Sequence, residues 1–494
     1  MSIATEVERI SQAKKDLKAA IESKGVSVGS DELINTYHER VLEISQNSEV
    51  SGNIEITENG TYNVAAVETA TVNVEPETSP YPIIEGDGEI EVRFIDYEGT
   101  LLKVQYVNGG ESATAPELPE HDRLTFVEWN RDFDNITHDL DVGAVYTPTS
   151  GNTELFISVT EETGLDVTLS IGKTTVSDSI AVNWGDETSQ TVVANGAGAK
   201  IVSHSYSSYG DYMISIISKN PGSYYLNALS TMNLLIGSNE ENSFKLLKKC
   251  YCSDSVSSIG EYCFYKSVNL EEITTSAVTR VISTFAFVKN KIKAIVNPRT
   301  ATGLGWYSIS GCNDLEFVVL NDEMTSLSFP FFIGSKMERL ILPEGYTATS
   351  YSNLTGYCSS LETVWYAKPA ADYILSKTVC GAGSIKKIPI YDNLTSIEND
   401  CFSQSSIESV KIPPSLTQIK GYSFAYAPNL KDIYIYTDTV PTLGSSLAFN
   451  AASKFLKIHV KPEMLSAFQE ATNWSSSKNK LVGDLEGEFE DGYC

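Results

Sequence analysis

A short apolar pattern recurs along the second half of the chain and constrains the fold more than any other feature of the sequence. Each copy has two apolar residues separated by two mostly polar ones, and successive copies start 22 to 25 residues apart. The pairs are Leu270/Ile273, Ile292/Ile295, Leu315/Val318, Met337/Leu340, Leu361/Val364, Ile385/Ile388, Ile407/Val410, Leu430/Ile433 and Phe455/Ile458. A repeat of this length is one small unit that cannot bury its apolar side alone, so the pattern predicts coils that stack into a solenoid.

A second pattern has the same period. An aliphatic residue is followed four and five positions later by a small residue and an apolar, mostly aromatic one. The copies are Ile259/Cys263/Phe264, Ile282/Ala286/Phe287, Leu304/Ser308/Ile309, Ile397/Cys401/Phe402 and Ile419/Ser423/Phe424. The small residue allows neighbouring coils to approach each other closely. Prolines 298, 343 and 413 follow the strand positions and end each short strand, because proline lacks the N–H donor that a strand ladder needs.

Together the two patterns resemble the BspA-like leucine-rich repeat. The resemblance implies a leucine-rich-repeat solenoid over residues 221–485, of a kind found in bacterial surface proteins and in phage structural proteins. Pro462, Phe468, Asn473 and Trp474 are similar to the helical cap that closes such arrays. We expect the cap to protect the last apolar coil from water.

Two small β modules are predicted before the solenoid. Residues 150–220 resemble the PKD (polycystic-kidney-disease) β-sandwich through the turn Asn183–Asp186 and the strands that contain Tyr206 and Tyr212. Trp184 and Tyr206 are expected to fill the space between the two sheets. Residues 90–149 resemble the internalin-type B-repeat, a β-grasp-like spacer, through the string FVEWNRDFDNITHDLDVGAVY.

The N-terminal part is predicted to be an attachment region. Residues 1–48 are interpreted as two amphipathic helices, and residues 49–89 as a β-hairpin with a linker. The apolar positions of the first helix are Ile3, Val7, Ile10, Leu17 and Ile21. These positions fit either a helical hairpin that folds on itself or a segment for attachment and oligomerisation. The fold class is therefore mainly β and multidomain, with an N-terminal helical hairpin.

Composition and motif content point away from several functions. The formal net charge of −28 disfavours a nucleic-acid partner, because a phosphate backbone would be repelled. No apolar run of about 18 residues is present, so we expect no membrane insertion. The five histidines are scattered and no catalytic or metal-binding motif occurs, so we expect no enzymatic activity, no cofactor and no metal. The eight cysteines form no paired zinc motif and are expected to be buried, reduced thiols.

Outward positions of the predicted strands are the candidate partner contacts. They are Trp365, Tyr366, Lys386, Lys387, Tyr391, Tyr434 and Tyr436. Exposed aromatic side chains stack on sugars and concentrate the binding energy of protein interfaces. The alternative is that these residues only cover the sheet as partners of the neighbouring strands.

The modules favour a binding protein, and we weighed four roles for it. The first residues contain no visible signal peptide, which favours a phage tail fibre or tip adhesin in the virion, released by lysis. Its solenoid would bind a host cell-surface protein or glycan, and its N-terminal region would bind other virion proteins, as a homo-oligomer such as a trimer. The alternatives are a capsid-attached head fibre or decoration protein, a bacterial cell-surface adhesin, and an enzyme such as a depolymerase.

Overall fold

The computed structural model describes residues 82–493, apart from 175–178, 193–197, 230–232, 328–334, 345–357 and 377–382. The chain forms two compact units, Met1–Pro80 and Tyr81–Cys494. The predicted attachment residues Ile3, Val7, Ile10, Leu17 and Ile21 lie outside the described residues, and the interpretation of that region stays a prediction. The modules predicted at 90–149, 150–220 and 221–485 all fall in the second unit.

The first described module is a five-stranded sheet with an aromatic core. Its strands are β1 (Ile83–Gly86), β2 (Ile90–Ile95), β3 (Leu101–Val107), β4 (Leu124–Trp129) and β5 (Leu140–Pro148), in the order β1-β3-β2-β5-β4. Strands β2 and β3 form an antiparallel hairpin, and β2 pairs with β5 in parallel. Phe94 packs edge-to-face against Trp129 at 5.1 Å and against Phe133 at 5.2 Å, so aromatic side chains form part of the module's core.

A β-sandwich follows. Its strands are β6 (Thr153–Val159), β7 (Asp166–Lys173), β8 (Ile180–Asn183), β9 (Ser189–Val192), β10 (Gly198–Ser205), β11 (Gly210–Ile217), β12 (Tyr224–Leu226) and β13 (Leu235–Gly237). One sheet contains β6, β11, β8 and β9, and the other contains β10, β7, β12 and β13. Trp184 and Tyr206 are buried between the sheets, and Tyr206 Oη donates to the carbonyl of Trp184 at 2.8 Å. The predicted role of these two side chains is confirmed.

Asp186 and His204 form a turn contact in the sandwich. Nε2 of His204 lies 2.6 Å from Oδ2 of Asp186, and the other carboxylate oxygen of Asp186 accepts hydrogen bonds from Thr188. The imidazole also stacks on Trp184 at a centroid distance of 5.1 Å. The carboxylate therefore holds the turn and the ring together, as expected for a turn residue.

The rest of the unit is a solenoid of very short strands. They are β14 (Leu247–Tyr251), β15 (Val256–Ile259), β16 (Phe264–Tyr265), β17 (Glu272–Thr274), β18 (Val281–Ile282), β19 (Phe287–Val288), β20 (Ala294–Val296), β21 (Gly303–Leu304), β22 (Ile309–Ser310), β23 (Phe317–Val319), β24 (Ser326–Leu327), β25 (Arg339–Ile341), β26 (Thr363–Trp365), β27 (Tyr373–Leu375), β28 (Pro389–Ile390), β29 (Leu394–Ile397), β30 (Ser409–Ile412), β31 (Gln418–Ile419), β32 (Asp432–Ile435), β33 (Thr442–Leu443), β34 (Lys457–Val460), β35 (Leu481–Val482) and β36 (Gly492–Tyr493). The α-helix α1 (Leu465–Glu470) and the 3-10 helices Glu240–Lys245, Pro462–Met464 and Trp474–Lys480 complete the described elements.

Equivalent strands of successive coils pair in parallel and form ladders. We call the side built from β14, β17, β20, β23, β25, β26, β30, β32, β34 and β35 the strand face. A second ladder contains β15, β18, β21 and β24, and a third contains β27, β29, β31 and β33. A fourth contains β16, β19 and β22. The stacked coils therefore have the solenoid form that the repeat predicts.

The residues that define the repeat form the interior ladders, with one exception. The paired anchors from Leu270 to Ile433 are all buried, and so are the small and aromatic residues of the second pattern. The anchor predicted at Phe455 is wrong, because Phe455 is 70% exposed and its neighbour Leu456 occupies the buried position instead. Ile458 keeps its place opposite Ile433, so the two anchors of this copy are two positions apart, one fewer than in the other copies.

Both ends of the solenoid are covered by other elements. At the start, β14 pairs with β17 in parallel and with sandwich strand β6 in antiparallel. In the other sheet, β12 pairs with β15 in parallel and with sandwich strand β7 in antiparallel. The sandwich sheets thus continue into the solenoid across position 220. At the far end, Phe468 and Trp474 pack together at 4.9 Å, and Trp474 Nε1 donates to the carbonyl of Pro441 at 2.8 Å.

Candidate binding surfaces of the solenoid

The first half of the strand face is covered by the five-stranded module. Val145 and Ile95 of the module pack against Val296 and Val319 of the solenoid. Gly143 lies so close that a Cβ at this position would be 2.5 Å from a methyl carbon of Val296. The absence of a side chain at position 143 is therefore what allows β5 to lie directly on the solenoid.

Polar groups of the module satisfy the backbone of the solenoid beneath it. Asn130 Nδ2 lies 3.0 Å from the carbonyl oxygen of Asn297 and 3.2 Å from that of Leu320. The carbonyl oxygen of the same side chain accepts a hydrogen bond from the Gly143 N–H at 2.8 Å. A buried amide with this many partners fixes the position of the module on the coils.

A buried charge cluster is at the centre of this interface. The Asp141 carboxylate accepts hydrogen bonds from Arg93 at 2.7 and 2.8 Å and from Nη2 of Arg339 at 2.6 Å. Arg339 also lies 3.2 Å from a carboxylate oxygen of Glu91. Burial alone would raise the pKa of Asp141, but the charges of Arg339 and Arg93 lower it well below its ordinary value. The cluster therefore joins a solenoid strand to two strands of the module.

A stacked ring pair lies beside the cluster. The imidazole of His138 is parallel to the indole of Trp365 at a centroid distance of 3.5 Å. Burial, and then the positive charges of Arg131 and Arg339, lower the pKa of His138 from 6.5 to about 3. The imidazole is therefore neutral near pH 7, and a proton would place a third positive charge between the two guanidinium groups.

His138 should make the folded state sensitive to acid. The neutral ring is required for folding, so stability is complete above the unfolded pKa of 6.5 and falls as the pH drops from there towards about 3. His138→Phe keeps the ring stack but cannot take up a proton. When the pH is lowered from about 7 to about 5, we expect its free energy of unfolding to rise by up to about 2 kcal/mol relative to that of the wild type. Urea unfolding at both pH values measures this gain. If the two proteins differ in free energy of unfolding by the same amount at both pH values, the prediction is contradicted.

The structure buries four of the seven predicted partner contacts inside the chain. Trp365 stacks on His138, and Tyr366 donates from its hydroxyl to the carbonyl of Pro389 at 2.8 Å. Tyr391 donates to the carbonyl of Tyr366 at 2.6 Å, and Tyr436 is also buried. The expectation that these aromatic side chains are exposed is wrong. Tyr366 and Tyr391 belong to the interior core of the solenoid, whereas the module covers Trp365 and the last described residues cover Tyr436.

The other three predicted contacts are accessible but are not brought together. Lys386 is exposed and forms an ion pair with Glu362 at 2.5 Å, and its neighbour Lys387 is exposed as well. Tyr434 is partly exposed and stacks on His459 at 4.6 Å. Whether any of these residues contacts a partner stays a prediction.

Partly exposed aromatic side chains line a turn edge of the solenoid, at positions that the sequence analysis did not assign to a partner. Tyr262, Phe285 and Tyr307 immediately precede the small residue of the repeat. Their rings stack along the solenoid, at 5.1 Å between the first two and 5.3 Å between the last two. Trp306 is 58% exposed beside them. We call these four residues the aromatic comb; their recurrence just before the small residue was the signal that could have revealed them.

The comb residues have an unusual backbone conformation. Tyr262, Phe285 and Tyr307 have φ angles of +55°, +54° and +49°, in the left-handed region that bulky side chains rarely adopt. Hydrogen bonds to the next coil hold this conformation, including one from the Phe285 N–H to the carbonyl of Trp306 at 3.0 Å. Asparagine or glycine would fit the turn with less strain. Bulky rings at strained positions are often maintained for a function.

The described cysteines are buried, and one is oxidised. Cys250, Cys252, Cys263, Cys312 and Cys358 are free thiols, as expected, whereas Cys401 is disulfide-bonded. Burial raises the pKa of Cys312 to about 12, so this thiol is inert. Among the described residues, no group of three or more His, Cys, Asp or Glu side chains is arranged to hold a metal ion. No helix in the described part has both the length and the apolar character to cross a bilayer.

Comparison with known proteins identifies the solenoid. Residues 236–362 and 352–478 match the family model of the BspA type leucine rich repeat region, in six copies. Residues 236–478 are a BspA-type leucine-rich repeat region. The resemblance drawn from the sequence is confirmed for this region, and the short parallel ladders described above are its coils. The resemblances of the two preceding modules to the B-repeat and to the PKD domain stay predictions.

Two solved structures show partial similarity to the chain. A leucine rich cell surface protein from Faecalibacterium prausnitzii A2-165 shares 16% identity over 47% of this chain and 62% of that chain, with a TM-score of 0.26. A leucine-rich repeat protein from Bacteroides ovatus ATCC 8483 shares 16% identity over 63% of this chain and 99% of that chain, with a TM-score of 0.24. The chain thus spans less than two thirds of the first protein. No curated protein matches it.

Proposed function

We propose that this protein is a non-catalytic adhesin of a bacterial cell surface, and that the aromatic comb of its leucine-rich repeat region binds the target. The comb is the observation that carries the proposal. Trp306 is exposed and the rings of Tyr262, Phe285 and Tyr307 are partly exposed on a stack of coils, while the first half of the strand face is covered by the chain's own module. Exposed aromatic side chains on a rigid frame have a low entropic cost of binding and contribute large contact areas.

The spacing of the comb favours a polysaccharide as the target. Its stacked rings recur at 5.1 and 5.3 Å along one axis, so equivalent groups face the solvent at regular intervals. A polymer of sugar units also presents equivalent groups at regular intervals, and can contact several rings at once. Apolar C–H faces of sugars pack on aromatic side chains, and the Tyr262 and Tyr307 hydroxyls can bond to sugar hydroxyls.

Two observations support a location outside the cytoplasm. Cys401 is disulfide-bonded, and disulfides persist mainly in oxidising compartments. The BspA-type repeat also resembles a module of bacterial surface proteins, as the sequence analysis noted. The interpretation as a phage tail fibre in a virion gains no support from the fold or from the comparisons, so we propose a bacterial surface protein.

Substitution of the comb should abolish binding without unfolding the protein. We expect the triple variant Phe285→Asn, Trp306→Ala, Tyr307→Asn to bind its polysaccharide at least about 30-fold more weakly, since truncating one hot-spot side chain costs about 2 kcal/mol. Asparagine is chosen because it tolerates a positive φ. Biolayer interferometry against a panel of purified bacterial and host polysaccharides measures the affinity. Tyr209→Asn, an exposed aromatic of the sandwich, is the matched control.

The partner class is tested separately on whole cells. Periodate treatment of the target cells should abolish binding if the partner is a glycan, whereas protease treatment should leave it intact. Loss of binding only after protease treatment would identify a protein partner and refute the polysaccharide. A triple variant that binds as tightly as the wild type would refute the comb as the binding surface.

A further inference from the structure

The last described residues return along the strand face. We call residues 484–493 the strap. It follows β35, crosses the far end of the strand face and ends in β36, which pairs in antiparallel with β28. Within the described residues, β36 is the only strand that pairs with β28, although Lys387, two residues earlier, forms a parallel bridge with Thr363 of β26. Without the strap, Ile390 would lose its strand partner.

Two apolar side chains and one backbone bond fix the first part of the strap. Leu485 is buried, and its N–H donates to the carbonyl of Val460 in the strand face at 3.2 Å. Phe489 packs edge-to-face on Tyr436 at 5.8 Å. Tyr436, which the sequence analysis assigned to an external partner, is therefore used by the chain itself.

Charge and strand pairing fix the second part. The Asp491 carboxylate lies 2.7 Å from Nζ of Lys368 and accepts a hydrogen bond from the Asp392 N–H at 2.6 Å. Gly492 and Tyr493 pair with Ile390 and Pro389. The Tyr493 side chain is partly buried and its hydroxyl oxygen is buried. Burial, followed by the charge of Asp139, raises the pKa of this phenol.

Each of these contacts is one that a separate peptide could make. The groove offers the pairing edge of β28, a contact for an aromatic ring at Tyr436, a cation at Lys368 and a partly buried site for a second aromatic ring. An open edge with pockets for alternate side chains is a common way to recognise extended peptides. The geometry points to a peptide-binding groove between Pro389 and Val460 that takes extended acidic peptides with aromatic residues four positions apart, and that the strap fills as an internal occupant.

The strap is a weakly held occupant. Half of its residues are acidic, namely Asp484, Glu486, Glu488, Glu490 and Asp491. Only the two aspartates form ion pairs among the described residues, with His459 and Lys368 respectively. The three glutamates add negative charge to a chain of net charge −28, and exposed ion pairs contribute little. A peptide with the same aromatic and acidic positions but fewer surplus charges should therefore compete for the groove. This inference is independent of the polysaccharide proposal, because the groove lies on another face.

Fluorescence anisotropy with a labelled peptide of residues 484–493 tests the groove. In the full-length protein the strap should block it, so the wild type should bind the peptide weakly. The variant Phe489→Ser, Tyr493→Ser should bind at least tenfold more tightly, because its strap loses both aromatic contacts. Adding Lys368→Glu should reverse this gain, whereas Lys387→Glu, a change at an exposed lysine outside the groove, should leave it unchanged. Equal binding by all variants, or no binding by any, would overturn the proposal.

Hydrogen exchange gives a readout that does not depend on peptide affinity. The Asp392 amide should be protected in the wild type, should exchange faster in the Phe489→Ser, Tyr493→Ser variant, and should regain protection with the peptide but not with a scrambled sequence. Asp491→Asn is a milder change and should accelerate the same amide if the first variant proves unstable. An Asp392 amide that is insensitive to all these changes would refute a strap-filled groove.

Discussion

Replacing Phe287 with alanine is expected to lower the free energy of unfolding by about 3–5 kcal/mol, the usual loss for a buried phenylalanine. The ring is fully buried and stacks on Phe264 of the preceding coil at 5.1 Å. Its N–H also donates to the carbonyl of Ser308 in the next coil. Alanine would leave a cavity in a ladder where each coil depends on its neighbours, so the coils cannot collapse around it independently. Chemical denaturation measures the loss.

Phe285 is the matched control, because it lies two residues earlier in the same coil. Its ring is partly exposed and its backbone is left-handed, so Phe285→Ala should cost less than about 1 kcal/mol. The two variants remove the same side chain from the same turn and differ only in the direction in which it points. Similar losses for both would show that the inward and outward positions of this turn are assigned wrongly.

The interior of the solenoid was predictable from the sequence because burial imposes a strict period. A coil that misplaces Leu340 or Ile388 would expose apolar surface, so these positions follow the repeat almost without exception. The repeat period does not decide the inward residue at Phe455. Two apolar neighbours, Phe455 and Leu456, satisfied the pattern equally well, and only the packing of the last coil decides which one turns inward.

The surface of the solenoid was harder to predict. Periodicity correctly identified Trp365 and Tyr436 as lying outside the interior core, but it could not show that residues far away in the chain would cover them. His138 covers Trp365, and Phe489 covers Tyr436. Such contacts depend on shape and charge complementarity between separate segments, for which a single sequence contains no periodic signal.

The aromatic comb illustrates the opposite case. Tyr262, Phe285 and Tyr307 were visible in the sequence at the repeat period, one position before the small residue. A left-handed turn before the small residue could not be deduced from residue types, since tyrosine and phenylalanine are poor left-handed residues. The predicted function therefore placed the aromatic contacts on the strand face, whereas the comb, with its exposed Trp306 and three partly exposed rings, lies on the turn edge.

Replacing Asp141 with asparagine should uncouple the five-stranded module from the solenoid. The substitution keeps the shape of the side chain but leaves Arg93 and Arg339, both largely buried, without their shared negative charge. Arginine cannot release its proton at accessible pH, so the two guanidinium groups would repel each other in a poorly solvated site. Breaking a buried pair in this way costs about 3–5 kcal/mol. We expect a loss of that size, or a separate early unfolding transition of the module.

Asp132→Asn is the control, because it also removes a module carboxylate that pairs with a solenoid arginine. Asp132 contacts Arg299 at 2.8 Å, but its side chain is 82% exposed, so the expected loss is below about 1 kcal/mol.

The pH dependence of the free energy of unfolding separates the two sites further. The pKa of Asp141 is lowered in the folded state, so its contribution is complete above the unfolded value of about 3.9 and disappears only as the pH falls below that range. The difference in free energy of unfolding between the wild type and Asp141→Asn should therefore be constant from neutral pH to about pH 5 and should shrink in stronger acid. A difference that is already absent at neutral pH would mean that the module is held on the strand face by its apolar contacts at Val296 and Val319, and that the buried charges contribute only to its orientation.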